Sequence, residues 1–288
     1  MSKIVQYHLH KLHPQKLQFE IYDLKKYLKK SGQKATVPHS HSYHQLIWFF
    51  DSKSSHRVDF NTYDVSTNTI IFIAKDQVHA FEDNEETEGL LIHFNDSFFM
   101  HTEVDIFLKY NIFKTHKNPC YALSQEAITA GKTYMQLIKN EMVDRKRFGF
   151  EDTVRFLLKC FLIQLERTHQ TGTDRILALT SIDNLRFYHF KELVEENYKK
   201  GLPVSEYADL MSISTKTLNT ITKKVSDRSP SEHISDRVVL QAKRLLRFTE
   251  LHVGEVAFKV GFDDPSYFIK YFKRQVGFSP MVFRKNSF

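Results

Sequence analysis

Cysteine is nearly absent: Cys120 and Cys160 are the only two in 288 residues. Two thiols cannot build a disulfide framework for a chain of this size. They point to a reducing compartment and to both residues as small buried hydrophobes. Long apolar runs are missing as well. The opening segment MSKIVQYHLHKLHPQ has no stretch of the signal-peptide kind, and nowhere does the chain approach the ~20 apolar residues that span a bilayer. The expected location is therefore the cytoplasm, with no membrane partner. The sequence also has no Gly-rich phosphate loop, nucleophile elbow or metalloprotease motif, so an enzyme is not expected.

What is present is length, aromatic bulk and uneven charge. The chain is long enough for two domains, each with its own core, and it carries 25 Phe and 13 Tyr. From Arg186 onward there are 18 Lys and Arg against 12 Asp and Glu, a net of +6, whereas residues 1–185 carry +1. The basic excess thus sits on the last third, as suits a partner for phosphate.

That last third contains an internal repeat. LPVSEYADLMSISTKTLNTITKKVSDRSP aligns with LHVGEVAFKVGFDDPSYFIKYFKRQVGFSP. Leu202, Val204, Glu206, Ala208, Met211 and Ile213 match Leu251, Val253, Glu255, Ala257, Val260 and Phe262 at an offset of 49. One residue is inserted in the second turn. Leu218, Lys223, Lys224, Ser229 and Pro230 then match Phe268, Lys273, Arg274, Ser279 and Pro280 at an offset of 50. Local chemistry sets the helix boundaries. Ser214 is an N-cap for a helix over Thr215–Val225, with Leu218 and Ile221 inward. Gly261 permits a positive φ, and Asp264 caps a helix that has Pro265 at its first position. SPSE at 229–232 is a capping box opening a helix to about Phe248, with Ile234, Val238, Ala242 and Leu245 on one face. At 1.5 Å per residue that helix spans ~27 Å, compatible with two reading helices about one DNA turn apart.

On these motifs, from about Leu185 to Phe288, the chain resembles the DNA-binding domain of the AraC/XylS family of bacterial transcription regulators. EVAFKVGF, SYF, KYFKRQVGFSP and Arg284 carry the resemblance in the second copy. EYADLMSIS, LN, KK, SP and AKRLL carry it in the first. Asp227, Thr222 and His252 depart from the family's usual Gly, aromatic and Ser or Thr; Thr222 suggests looser packing of the first unit. The resemblance implies that Lys216, Asn219, Thr220, Ser266 and Lys270 meet base edges. Lys223, Lys224, Lys273 and Arg274 lie better placed for phosphates.

From Val37 to about Asp96 the pattern is β: HQLIWFF, HRVDFNTYDV, NTIIFIAKDQVHAFED and EGLLIHFND, separated by DSKSS and EDNEE. HSH before a strand and AKDQVHAF resemble the cupin-type sensor domain found in the same family. Cupin enzymes hold a metal through H-x-H, a Glu four residues on and a later His. Here His39, His41 and His79 fit, but Gln45 replaces the carboxylate, so neither a metal nor another cofactor is expected. The histidines are expected to line or cap an open barrel instead, and His39, His41, Trp48, Phe72, His79 and Phe81 form the expected pocket for a small organic effector. His44 and His93 are expected in the core. Ser124–Arg147 and Phe150–Thr168 read as two helices, the second apolar enough for a dimer interface.

The expected fold is α+β. Residues 1–168 form a cupin-like barrel or jelly roll with two flanking helices, for effector sensing and dimerisation. A linker follows at 169–181, and 182–288 form an all-α domain with two helix-turn-helix units. The expected function is sequence-specific regulation of transcription, with activation the family's commoner outcome. The expected partners are double-stranded DNA, RNA polymerase, a second copy of the chain and a small effector. Two other readings stand beside it: a metal-dependent cupin enzyme fused to a DNA-binding domain, and a regulator whose N-terminal domain makes only protein contacts.

Overall fold

The computed structural model describes residues 4–13, 16–51, 54–82, 87–99, 110, 112, 119–169 and 182–285. The chain divides into two compact units, Val5–Asp174 and Arg175–Phe288. The segment read as a linker lies almost wholly outside the described residues. No described helix is long and apolar enough to cross a membrane.

The first unit is built on two five-stranded sheets. One has the order β1 (Val5–Tyr7), β3 (His39–His41), β8 (Val78–Phe81), β5 (Ser54–Val58), β6 (Asn61–Val65). The other has the order β10 (Cys120–Ala122), β7 (Thr69–Ile73), β4 (His44–Asp51), β9 (Glu88–Phe94), β2 (Phe19–Asp23). Helices α1 (Leu24–Ser31) and α2 (Gln33–Thr36) precede β3. HRVDFNTYDV and NTIIFIAKDQVHAFED each fold as two strands, turned at Asp59 (φ 53°) and Asp76 (φ 64°). Asp tolerates this left-handed conformation better than most residues.

The central strands β4, β7 and β9 are buried on both faces. Ile47, Phe49, Ile71, Ile73 and Leu91 pack with Val58, Val65 and Phe81 of the other sheet. The alternate residues Leu46, Trp48, Ile70, Phe72, Leu90 and Ile92 turn the opposite way. There they meet α3 (Gln125–Glu141) and α4 (Phe150–His169) through Met135, Ile138, Leu158, Phe161 and Leu162. Full burial of Phe72, Phe94 and Phe161 contributes roughly 1.5–3 kcal/mol each. Helix α3 is shorter than the sequence suggests. Ser124 caps its start and Met142 its end, and beyond it DRKRFG is polar and rich in turn formers. Cys160 is exposed on α4, on the side away from Leu158 and Phe161, and Cys120 is half-buried; both are free thiols, not the buried pair expected.

The second unit is helical throughout its described residues. Its elements are α5 (Ile182–Asn197), α6 (Val204–Leu210), α7 (Thr215–Ser226), α8 (Pro230–Phe248), α9 (Val253–Lys259), α10 (Pro265–Val276) and α11 (Pro280–Lys285), with a single 3-10 turn after α5. All contribute to one core, in which Phe190, Tyr207, Ala208, Leu218, Ala242, Val256, Ala257, Phe268 and Phe272 are almost fully buried. Arg237 of α8 grips Glu195 of α5 through two hydrogen bonds of 2.5 and 2.7 Å. Arg237 lifts the acidity of Glu195, whose carboxyl stays below its usual range even though burial pushes it up.

Candidate nucleic-acid interface

The two halves of the repeat share their backbone chemistry. Met211 N donates to the carbonyls of Tyr207 and Ala208, and Val260 N donates to those of Val256 and Ala257. Ile213 N reaches Ala208 O at 3.0 Å, as Phe262 N reaches Ala257 O at 3.0 Å. Between them sit Ser212 at φ 54° and Gly261 at φ 93°. At the far ends of α7 and α10, Asp227 (φ 58°) and Gly277 (φ 86°) take the left-handed conformation and donate to Lys223 O and Lys273 O. The expected caps are all in place. Ser214 accepts from Thr217 N, Asp264 from Ser266 N, and Ser229 and Glu232 close a full capping box. Tolerance of αL by Asp227 is thus used where the second copy has glycine.

Helices α7 and α10 each bury one face and expose the other. On α7, Leu218, Ile221 and Thr222 are buried, while Lys216, Thr220, Lys223 and Lys224 are exposed and Asn219 is half-buried. Thr222 is fully buried and donates to Asn219 O at 3.1 Å, so the first copy is not loosened there as expected from its departure. On α10, Phe268 and Phe272 are buried, while Ser266, Lys270, Lys273 and Arg274 are exposed. All nine residues read as DNA contacts therefore lie on these two helices, eight of them with exposed side chains. Two polar groups are tied locally: the Asn219 amide donates to Thr215 O, and Thr220 Oγ1 to Lys216 O. Lys224 is engaged elsewhere, its Nζ 2.6 Å from Asp183 Oδ2 on α5. Arg274 lies over the Tyr271 ring, whose hydroxyl donates to Ser235. Sequence reasoning missed Ile269, which is 39% exposed beside Lys270 and offers an apolar surface suited to a thymine methyl. A β-branched residue in a helix gave no warning, since most are buried.

The six residues read as an effector pocket do not share one. Trp48 and Phe72 lie on the helix-covered face, with Trp48 stacked on Phe161 at 5.7 Å. His39, His41, His79 and Phe81 belong to the other sheet, and each of the six is at most 4% exposed. They form a closed interior, not an open mouth. Strand alternation explains the division, because residues of opposite parity on β4 and β7 cannot face the same side.

In that interior, β3, β8 and β5 bring histidines together. His39 pairs across the sheet with His79, and His41 lies two residues along the same face. One ring nitrogen from each of His39, His41 and His79 lies within 4.8 Å of the others. His56 joins them, its Nε2 3.0 Å from His79 Nδ1. His93 lies beyond, 5.9 Å from His41 between ring centroids. Burial pulls His41 and His79 well below the usual imidazole range, and their histidine neighbours add to the effect. Burial also takes His56 and His93 down to about 3. All are neutral at pH 7.

The helix-turn-helix domain family matches residues 207–286, from α6 through α11. Over 88% of its length the chain is 22% identical to the HTH-type transcriptional activator RhaS of Mannheimia succiniciproducens, covering 91% of that protein. A RhaS from Yersinia pestis is also 22% identical, over the same shares. The chain belongs to the AraC/XylS family. It is thereby an AraC-type DNA-binding regulator of transcription. Among solved structures, an apo ToxT from Vibrio cholerae aligns with 92% of this chain and 96% of its own, at 12% identity and a TM-score of 0.39.

Within this AraC-type regulator, two relationships lay beyond the sequence: the Lys224–Asp183 pair and the place of His56. Each joins residues distant in sequence, and only the packed fold makes them neighbours.

Proposed function

We propose that this regulator binds operator DNA with α7 and α10 as twin reading helices, each the second helix of a helix-turn-helix unit and each in a major groove. The observation that carries this reading is the shared geometry of the two repeats: the same turn hydrogen bonds, the same left-handed ends, and a basic exposed face on each helix. Helix α8 joins them with 19 residues, ~28 Å of rod. Lys216, Asn219, Thr220, Ser266 and Lys270 are the proposed base readers. Lys223, Lys273 and Arg274 are the proposed phosphate contacts, with Lys224 joining them once released by Asp183.

The N-terminal unit, proposed over residues 1–168 with a linker at 169–181, is read as a cupin-like jelly roll that controls the tail by ligand or by assembly. Exposed Leu137 on α3 and Phe156 on α4 support a homodimer through this face. Activation by recruiting RNA polymerase is the outcome favoured by the RhaS relatives, whose names describe activators.

Binding of Lys270→Ala and Lys273→Ala to a panel of operator variants tests the assignment. Lys270→Ala should relax base preference by about 1–3 kcal/mol at one position. Lys273→Ala should weaken all sequences alike and lower the salt slope by about one. Identical behaviour of the two variants would refute the sorting.

A further inference from the structure

We propose that His39, His41 and His79 form a binding site for a borderline divalent transition-metal ion of the Zn2+ class, with His56 as a positioning residue. The inference stands apart from the DNA-binding reading and concerns only the first unit.

Three observations converge. The first is the donor set. One nitrogen from each of three buried imidazoles lies within 4.8 Å of the other two, a spacing that small side-chain rotations bring to a single ion with ~2.0–2.1 Å bonds.

The second is that the outer nitrogens are already spoken for. His39 Nδ1 lies 2.8 Å from the Val37 carbonyl, which can only accept, so Nδ1 carries the proton and Nε2 keeps its lone pair. His79 Nδ1 meets His56 Nε2 at 3.0 Å. When His79 donates in that contact, its Nε2 is likewise left as a donor to metal. Metal-binding histidines are oriented in this way, one nitrogen held by a carbonyl or another acceptor and the other presented to the ion.

The third is unmet polarity. Both nitrogens of His41 and Nε2 of His79 are buried with no hydrogen-bond partner among the described residues. Burying such groups unpaired is costly, and an ion satisfies them together. Tyr7 and Tyr43 pack against the cluster at 5.4 Å from His39 and 4.5 Å from His41, which fixes the rings without adding a carboxylate. Gln45 is buried with its Oε1 unpartnered, so the proposed ligands are three neutral imidazoles. Such a set suits Zn2+ and its neighbours over Mg2+ or Ca2+, which take oxygen. Three protein ligands leave a fourth position for water or an anionic ligand.

The test uses the purified full-length chain, stripped with chelator and titrated with Zn2+ by calorimetry, with Co2+ as a spectroscopic substitute. One ion per chain should bind, and the Co2+ complex should absorb with the intensity of a four- or five-coordinate centre. His41→Gln and His79→Gln should abolish binding. His56→Phe keeps ring volume but removes the orienting nitrogen, and should lower affinity about 10–100-fold. A His8→Ala/His13→Ala variant should bind as the parent does. Should the ligand variants fail to fold by circular dichroism, X-ray absorption of the Zn2+-loaded parent decides: imidazole scattering supports the site, and an all-oxygen shell overturns it. No binding by the parent, or binding lost only in the His8/His13 variant, overturns it as well.

Discussion

Lys224 of α7 holds Asp183 at the start of α5, Nζ to Oδ2 2.6 Å, so one cation on the DNA-reading helix is already neutralised within the protein. The carboxylate competes with phosphate for that ammonium. Asp183→Asn should therefore free one cation and steepen the dependence of log affinity on log salt by about 0.9. Stability should fall by no more than about 1 kcal/mol, as for other solvent-exposed pairs. Salt-titrated fluorescence anisotropy checks this; an unchanged slope would mean the pair breaks on binding in the parent too.

Gly261 and Gly277 both have positive φ, but only one lies against a neighbour. A Cβ on Gly261 would sit 2.5 Å from Lys199 O, whereas one on Gly277 meets nothing within 4 Å. Gly277→Ala should cost about 1–2 kcal/mol from backbone strain alone. Gly261→Ala should cost about 1–3 kcal/mol more, because a backbone carbonyl must move. Urea unfolding of the two variants would resolve the difference.

Phe161 fills the space between α4 and Trp48, and α3 approaches so closely that a Cβ on Gly131 would lie 2.8 Å from both rings. Phe161→Ala should destabilise the first unit by about 3–5 kcal/mol. The fluorescence of Trp48, the chain's only tryptophan, reports that transition directly.

His233 is buried between Phe187 and Phe190 and shares a 2.8 Å hydrogen bond with Ser226. Burial lowers its imidazole to about 4, and the charges of Lys191 and Arg228 reinforce the shift. The unfolded chain takes up a proton near pH 6.5, and the folded chain resists until about pH 4. Stability of the second unit should thus fall as pH drops from 6.5 toward 4. His233→Gln keeps a polar partner for Ser226 without titrating, and should flatten that part of the stability-versus-pH curve in thermal melts.

The helical tail was largely legible in sequence because its signals are local. Ser214, Ser229 and Asp264 cap helices through groups within three residues, and the matched apolar positions recur at helical spacing. The sheets were less so. Strands β1 and β3 are three residues long, too short for a period to register. FEIYD of β2 and the lysine-rich α1 after it went unread for the same reason. Trp48 and Phe72 were assigned to the wrong side because β4 and β7 are buried on both faces. Alternation then separates two sets of residues without saying which set lines the interior.

By itself, the sequence determined the helical repeat, its caps, its two basic faces and the family to which it belongs, since each depends on residues a few positions apart. Only the tertiary structure decided that Lys224 meets Asp183 and that Trp48 turns toward α4. It alone gathered His39, His41, His56 and His79 in one closed interior. Those outcomes depend on strand register and helix docking, which join residues 17 to 113 positions apart and leave no local trace in the chain.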